Sequence, residues 1–225
     1  MHSELLLLVD GRFPAGGHAY SAGVEAAVDI GDIVDTATLE RYLAGRLSTT
    51  GTVDAAFAVA ACAALIDDVE TDHLWRLDTE YSARVPSPHL RATSRRLGRQ
   101  LLRAARPIWP HPMLDELAAS EEGGHQPVVL GVVVGAAGGT PSDASAIALH
   151  HLGAAVASAG IRLLGLDPLE LAAVQARASR APAVALADVE RWARCDPSDL
   201  PATGGLLTEI LGEEHGRRDA RLFVA

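Results

Sequence analysis

The chain has 225 residues, of which 48% are hydrophobic and 4% aromatic, and it carries a formal net charge of −10. A chain of this length can bury one substantial core, and no linker rich in Gly, Ser or Pro divides it, so we expect a single domain over residues 1–225. The acidic balance argues against nucleic acid or an anionic membrane as a partner, and the lack of Lys excludes a P-loop lysine and Schiff-base chemistry.

The first predicted element is a short apolar helix over residues 5–9, which is followed by a turn and by a second helix opened by Ser21. Within the turn, Pro14 fixes its own φ, and Gly16 and Gly17 permit backbone conformations that are closed to other residues. A loop that is so strongly specified indicates a shaped surface rather than a plain connection between two helices.

Apolar residues then recur at helical rather than strand spacing along most of the chain. A helix that carries Leu39, Leu43 and Leu47 on one face has Asp35 or Thr36 as its predicted cap. The nearly all-apolar segment 52–66 predicts a central helix that is buried on all sides. Further helices are predicted over residues 68–83, 89–105 and 113–120.

The Val-rich segment 127–139 is compatible with a strand or with a buried helix, since β-branched residues favour sheets. No other segment offers it a pairing partner, and a lone strand is not stable, so we predict a helix. It is too short to cross a bilayer, which needs about 20 residues. Later helices are predicted over 141–164, from a capping box at 167–170, and over 183–194. The expected fold class is all-α, a single-domain bundle of about ten helices.

Several reactive or charged groups have ordinary structural explanations. Cys62 and Cys195 are too few and too far apart for a zinc site, and the adjacent His150 and His151 diverge by about 100° on one helix. The acidic residues at 67–72 suit the N-terminus of a helix. No Ser-His-Asp or Cys-His arrangement has the context of a catalytic motif, so the sequence does not support an enzyme. No signal peptide is recognisable, which predicts a cytoplasmic protein.

Arginines recur every four residues from Arg91 to Arg103 and form a basic stripe along one long predicted helix. Two interpretations remain open, a solvated face and a docking surface for an acidic protein partner. The concentration of the stripe in so acidic a chain weighs against solubility as its only role.

Three blocks of the chain resemble the urease accessory proteins of the UreF family. At the N-terminus, seven residues fall in register on the family pattern: Asp10, Phe13, Pro14, Gly16, Ser21, Gly23 and Glu25. In the middle, five residues match the family's arginine-containing helix: Arg91, Ser94, Gly98, Leu101 and Leu102. At the C-terminus, Arg221, Leu222 and Phe223 match the family tail, and Glu214 and His215 appear there in reversed order.

This resemblance implies an all-α, homodimeric and non-catalytic maturation factor for nickel-dependent urease. It further implies that the chain binds the UreD/UreH accessory protein and recruits the GTPase UreG to the urease apoprotein so that nickel reaches the active site. No tightly bound cofactor is expected, only transient nickel, because a strong site would trap the ion. Two other functions remain open: a GTPase-activating protein that inserts an arginine into UreG, and a nickel storage or transport protein.

The resemblance also assigns two partner-binding regions by position. The tail, residues 205–225, is the expected contact with UreD/UreH through His215, Arg221, Leu222 and Phe223; a tail that packs on its own domain is the alternative. The second region is expected to meet UreG or to lie on the nickel route. It comprises Phe13, Pro14, Gly16, Gly17, His18, Tyr20, Ser21 and Glu25.

Overall fold

Helices account for the whole regular structure of the described chain. The computed structural model describes residues 3–178, 188–217 and 222–223, which form 12 α-helices and no strand. The all-α class that periodicity predicts is therefore confirmed. In chain order the helices are α1 (Leu6–Val9), α2 (Val24–Asp29), α3 (Thr36–Ser48), α4 (Thr50–Ile66), α5 (Thr71–Arg84), α6 (Pro88–Ala105), α7 (Pro112–Ala119), α8 (Gln126–Ala136), α9 (Pro141–Leu164), α10 (Pro168–Ala178), α11 (Val189–Trp192) and α12 (Leu206–Gly216).

Helix α4 lies at the centre of the bundle and packs against α8 and α9. Its side chains are almost all buried, as the lack of a polar face predicts. Gly131 of α8 permits the close approach of the two helices, because a Cβ at that position would lie 2.2 Å from the carbonyl oxygen of Ala58. The Val-rich segment is thus a helix, as predicted, and its valines fill the core beside α4: Val128, Val129, Val132, Val133 and Val134.

Local capping chemistry sets where several helices begin. Asp35 caps α3 by accepting the Thr38 N–H at 2.8 Å, and the Thr38 hydroxyl in turn accepts the Asp35 N–H at 3.0 Å. The capping box predicted at 167–170 forms only in part. Asp167 accepts the N–H two residues ahead at 2.9 Å, whereas Glu170 accepts the Thr36 hydroxyl at 2.9 Å. This second contact ties the start of α10 to the start of α3.

Several predicted helix boundaries differ from the structure by up to about three residues, and two further differences stand out. Helix α2 begins at Val24 and not at Ser21, because Ala22 and Gly23 take φ values of +53° and +82°, which interrupt a helical path. Ser21 lies before this break and is fully buried. Of the helix predicted over 183–194, the described part is helical over Val189–Trp192, and residues 179–187 lie outside the described chain.

Helix α9 is the one described helix that is long and apolar enough to cross a membrane by length and composition alone. Segment 127–139, the apolar segment that the sequence analysis compared with a membrane span, is too short to cross a bilayer. In the folded chain, 56% of the apolar window of α9 is buried against other helices. This burial is what a core helix of a globular protein requires.

Candidate functional site

The N-terminal region, called here the loop surface, comprises residues 11–21 between α1 and α2. Pro14 and Gly17 are exposed, and Gly17 opens a short 3₁₀ turn, Gly17–Ala19, that contains His18. Phe13 anchors the loop from beneath, since its ring centroid lies 6.2 Å from that of Trp109. The loop is therefore held on one side and open to solvent on the other.

The two glycines of the loop surface have different roles. Gly16 has a φ of +80°, which favours glycine, and it packs so closely on Gln100 that the Gln100 side chain would have to move to admit a Cβ. At Gly17 a Cβ would have no neighbour within 4 Å. The predicted glycine requirement therefore applies to Gly16, and the contact with Gln100 seats the loop directly on α6.

A cavity of about 280 Å³ lies behind the loop surface. Residues from both predicted partner-binding regions line it together with the central helices, among them Phe13, Tyr20, Arg46, Asp54, Tyr81 and Glu209. Tyr20, a predicted site residue, thus faces the interior as well as the loop. The two ends of the chain converge on one cavity, although they are nearly 190 positions apart in the sequence.

The cavity holds two carboxyl groups whose acidity is altered by burial. Burial raises the pKa of Asp54 to about 6, even though its Oδ1 accepts the Tyr81 hydroxyl at 2.7 Å. Burial also raises the pKa of Glu209, whose Oε2 accepts the Ser87 N–H at 2.8 Å. Within the described residues, no group of three or more His, Cys, Asp or Glu side chains is placed to hold a metal ion. The cavity offers oxygen donors without a full ligand set.

Residues near the C-terminus contact Glu25 of α2 and Arg162 of α9 in what we call the tail cluster. Its members are Glu25, Arg162, His215, Leu222 and Phe223. The Glu25 carboxylate accepts the Leu222 N–H at 2.7 Å and the Phe223 N–H at 3.0 Å. His215 Nε2 lies 3.5 Å from Oε2 of Glu25, and the Arg162 guanidinium lies 4.2 Å from the centroid of the Phe223 ring. Phe223 is only 3% exposed, so this part of the tail packs on its own domain, which is the alternative stated above.

One surface of the tail remains exposed. Leu206, Leu207 and Ile210 on the outer face of α12 are 76%, 54% and 49% exposed, and Leu222 is 54% exposed. We call the three helical residues, Leu206, Leu207 and Ile210, the α12 face. Sequence reasoning missed its three members. Their i, i+1, i+4 spacing is the signal that identifies them, because it places three large apolar side chains on one side of a helix. Arg221, also predicted in this region, lies outside the described residues.

The basic stripe of α6 divides into an inner and an outer set. Arg91 donates to the carbonyls of Val85 and Pro86 at 2.7 and 2.9 Å. Arg95 forms an ion pair with the buried Asp78 at 2.8 Å. These two arginines hold the corner between α5 and α6, so neither of the two sequence interpretations describes them.

A buried Ser–His pair tests the expectation that the chain is not an enzyme. His125 Nε2 lies 2.7 Å from Oγ of Ser82, a distance typical of a nucleophile and its base. His125 is fully buried, however, and burial lowers its pKa to about 3. An imidazole that is so weakly basic and so inaccessible cannot take a proton from a substrate-bound nucleophile at neutral pH. The pair packs the junction of α5 and α8.

The neighbouring His150 and His151 diverge, as predicted from their adjacent positions. Their ring centroids are 6.4 Å apart, and His151 Nε2 contacts the Leu8 carbonyl oxygen at 2.7 Å. Burial lowers the pKa of His151, whereas His150 is exposed. His151 therefore connects α9 to the N-terminal helix.

The comparisons with known proteins all lead to the same family. The family described as UreF matches residues 33–179. The chain is 38% identical to the urease accessory protein UreF of Mycolicibacterium vanbaalenii, over 99% of this chain and 98% of that protein. It is 35% identical to the protein of the same name from Mycobacterium sp. strain JLS, with the same coverage, and 34% identical to that of Mycobacterium marinum, over 98% and 97%.

Proposed function

The chain belongs to the UreF family of urease accessory proteins, and from this premise we propose that it bridges UreD/UreH and UreG during delivery of nickel to the urease apoprotein. Its relatives are named as accessory proteins, so the chain assists an enzyme and is not one itself, as the sequence predicts. The proposal includes a cytoplasmic homodimer and nickel as transient cargo rather than as a resident cofactor.

The observation that carries the proposal is the exposed α12 face. Isolated apolar residues are common on protein surfaces, but three large ones on one side of a short helix are typical of an interaction site. We assign this face to UreD/UreH, the partner that the resemblance gives to the tail. The assignment moves the contact from the buried residues His215 and Phe223 to their exposed neighbours.

The loop surface is assigned to UreG. Its anchored base and open outer side suit a contact that must be preformed, because a rigid surface loses little conformational entropy on binding. The cavity behind it supports the second expectation for this region, that it lies near the nickel route. Asp54 and Glu209 can supply oxygen ligands there, and two carboxylates without further ligands would release the ion readily.

The test is a double substitution on the α12 face, Leu206→Asp with Ile210→Asp. We expect it to abolish co-purification with UreD/UreH and urease activation on co-expression, while helical content stays unchanged. The matched control is Val34→Asp with Leu169→Asp, since these residues are 60% and 80% exposed on other parts of the bundle. Deletion of the whole tail is a poorer test, because it also removes buried Leu211 and Phe223.

Two further measurements separate this proposal from the alternatives. Single-turnover GTP hydrolysis by UreG, with and without this chain, distinguishes a GTPase-activating protein from a scaffold. Equilibrium dialysis against nickel distinguishes a storage protein, which would hold a stoichiometric ion tightly in the isolated chain. Full urease activity in cells that lack this chain would contradict the proposed function altogether.

A further inference from the structure

The outer half of the basic stripe forms an exposed positive face on α6. Arg96, Arg99 and Arg103 all lie on the solvent side of the helix, around Gln100. The last lies seven positions after the first, so the three guanidinium groups are distributed along about 10 Å of the helix. We call these three residues the α6 basic face.

Two arginines of this face form no ion pair with a carboxylate of the described residues. Arg99 donates to the main-chain carbonyl of Glu122 at 2.7 Å, a contact that positions the guanidinium without an ion pair. Within the described residues, neither Arg99 nor Arg103 takes part in a salt bridge. The neighbouring arginines differ, since Arg95 pairs with Asp78 and Arg106 pairs with Asp115 at 2.6 Å. In this part of the chain Arg95 and Arg106 are therefore paired with carboxylates, whereas the charges of Arg99 and Arg103 leave their side of α6 positive.

This positive face is continuous with the loop surface. Gln100, which lies between Arg99 and Arg103 in sequence and beside them on the exposed side of α6, is the residue against which Gly16 packs. A partner that covers the loop therefore approaches the guanidinium groups of the α6 basic face at the same time. In a chain with a net charge of −10, this is a local region of opposite sign within an acidic surface.

We propose that the α6 basic face binds carboxylate groups on the protein partner that meets the loop surface. The inference rests on the proposed function, which assigns a partner to the loop surface. It adds that this partner carries acidic side chains at the edge of the interface. A nucleic acid is the less suitable ligand, because the rest of the acidic chain would repel its phosphates. A folded protein with a local acidic cluster avoids that repulsion. Charges at the rim of an interface act mainly on the rate of association.

The experiment measures binding of purified UreG to the full chain by biolayer interferometry at 50 and 300 mM salt. The variant is Arg99→Glu with Arg103→Glu, and the matched control is Arg41→Glu with Arg194→Glu, which changes the net charge equally at exposed positions elsewhere. We expect the variant to lower the association rate constant at least tenfold and the dissociation rate constant to change less than twofold. The wild-type association rate should fall with salt, and that of the variant should not. The control should associate within about twofold of the wild type.

The outcomes separate this inference from the proposed function. If the wild-type chain binds UreG and the charge-reversed variant binds at the same rate, the α6 basic face is not part of the interface, and the proposed function stands. If the wild-type chain binds neither UreG nor UreD/UreH, the proposed function fails. Tighter binding of a single-stranded DNA oligonucleotide than of UreG would assign the face to nucleic acid and overturn the inference. A neutral variant, Arg99→Gln with Arg103→Gln, should lower the association rate constant by a smaller factor. It replaces the charge-reversed variant in the experiment if that variant does not fold.

Discussion

The loop surface and the tail cluster carry the same kind of sequence signal but differ in how far their residues are exposed. Among their residues that match family motifs, Pro14 of the loop is exposed, whereas Ser21 of the loop and Phe223 of the tail are buried. Glu25 belongs to the N-terminal motif and binds the C-terminal main chain. A motif residue can therefore act by holding another segment in place, and a motif alone does not identify which residues a partner touches.

The largest effect on stability is expected at Arg84 of α5, which holds residues 197–201, the segment that leads into the tail. Its guanidinium donates to the carbonyls of Pro197, Ser198, Leu200 and Pro201 at 2.9–3.2 Å, and its side chain is 7% exposed. Arg84→Met removes every one of these bonds and leaves partly buried carbonyls unpaired. We expect it to lower the free energy of unfolding by about 3 kcal/mol, measured by urea denaturation.

The control for this change is Arg41→Met, at an exposed position of α3, which should stay within about 0.5 kcal/mol of the wild type. If Arg84→Met proved equally mild, the C-terminal segment would not depend on α5. Residues 197–201, which lead into the tail, would then be held by other contacts.

A second effect is expected from Asp54, which lies in the cavity between the two regions. Its pKa is about 6 in the folded chain, against 3.8 for an aspartate in water, so folding favours the protonated form. The stability that this protonation contributes is present below pH 3.8 and is lost as the pH rises through 6. Asp54→Asn should therefore gain about 2 kcal/mol relative to the wild type between pH 4 and 7, measured by urea denaturation at each pH.

Asp10 supplies the control, because Arg12 lowers its pKa to about 2 through a side-chain hydrogen bond. The stability difference between Asp10→Asn and the wild type should stay nearly flat from pH 5 to 7, where the group is ionised in both states. An equally flat difference for Asp54→Asn would mean that water or a counter-charge solvates this carboxylate in the folded chain.

Glu25→Gln tests the tail cluster directly. A carboxylate can accept two N–H groups, whereas an amide directs its own NH₂ group at one of them, so one main-chain donor loses its acceptor. We expect a loss of about 1.5 kcal/mol and faster cleavage of the C-terminus by carboxypeptidase. Glu40→Gln, at the surface ion pair with Arg177, should change neither property by much. Unaltered cleavage in Glu25→Gln would show that the tail is held by Phe223 alone.

Sequence reasoning predicted the features that local chemistry determines. Asp35 caps a helix because its side chain reaches a donor three residues away, and the Val-rich segment is a helix, as the lack of a pairing partner in the sequence indicates. Features that depend on contacts between distant residues could not be read in this way. Glu25 meets Leu222 across 197 positions, and no periodicity encodes that distance.

The basic stripe shows the same limit within one helix. Spacing places Arg91, Arg95, Arg99 and Arg103 along one side of α6. Whether each guanidinium group is held inside the fold or left exposed depends on the residue that it contacts. Asp78 of α5 draws Arg95 inward, and the Val85 carbonyl does the same for Arg91. The sequence contains both partners, yet only their position in the folded chain selects which arginines remain available to a ligand.

The smallest effect on stability is expected at Gly17, where the comparison between the two regions is sharpest. Added atoms at this position enter open space, so Gly17→Val should change the free energy of unfolding by less than about 0.5 kcal/mol. It should nevertheless reduce urease activation strongly, because a branched side chain would stand on the surface that we assign to UreG. Gly16→Ala is the matched opposite: it places a side chain at a φ of +80° and displaces the Gln100 side chain, so it should destabilise the fold measurably. If both variants activate urease normally, the loop is a structural connection, and the open surface of this chain lies at α6 and α12 instead.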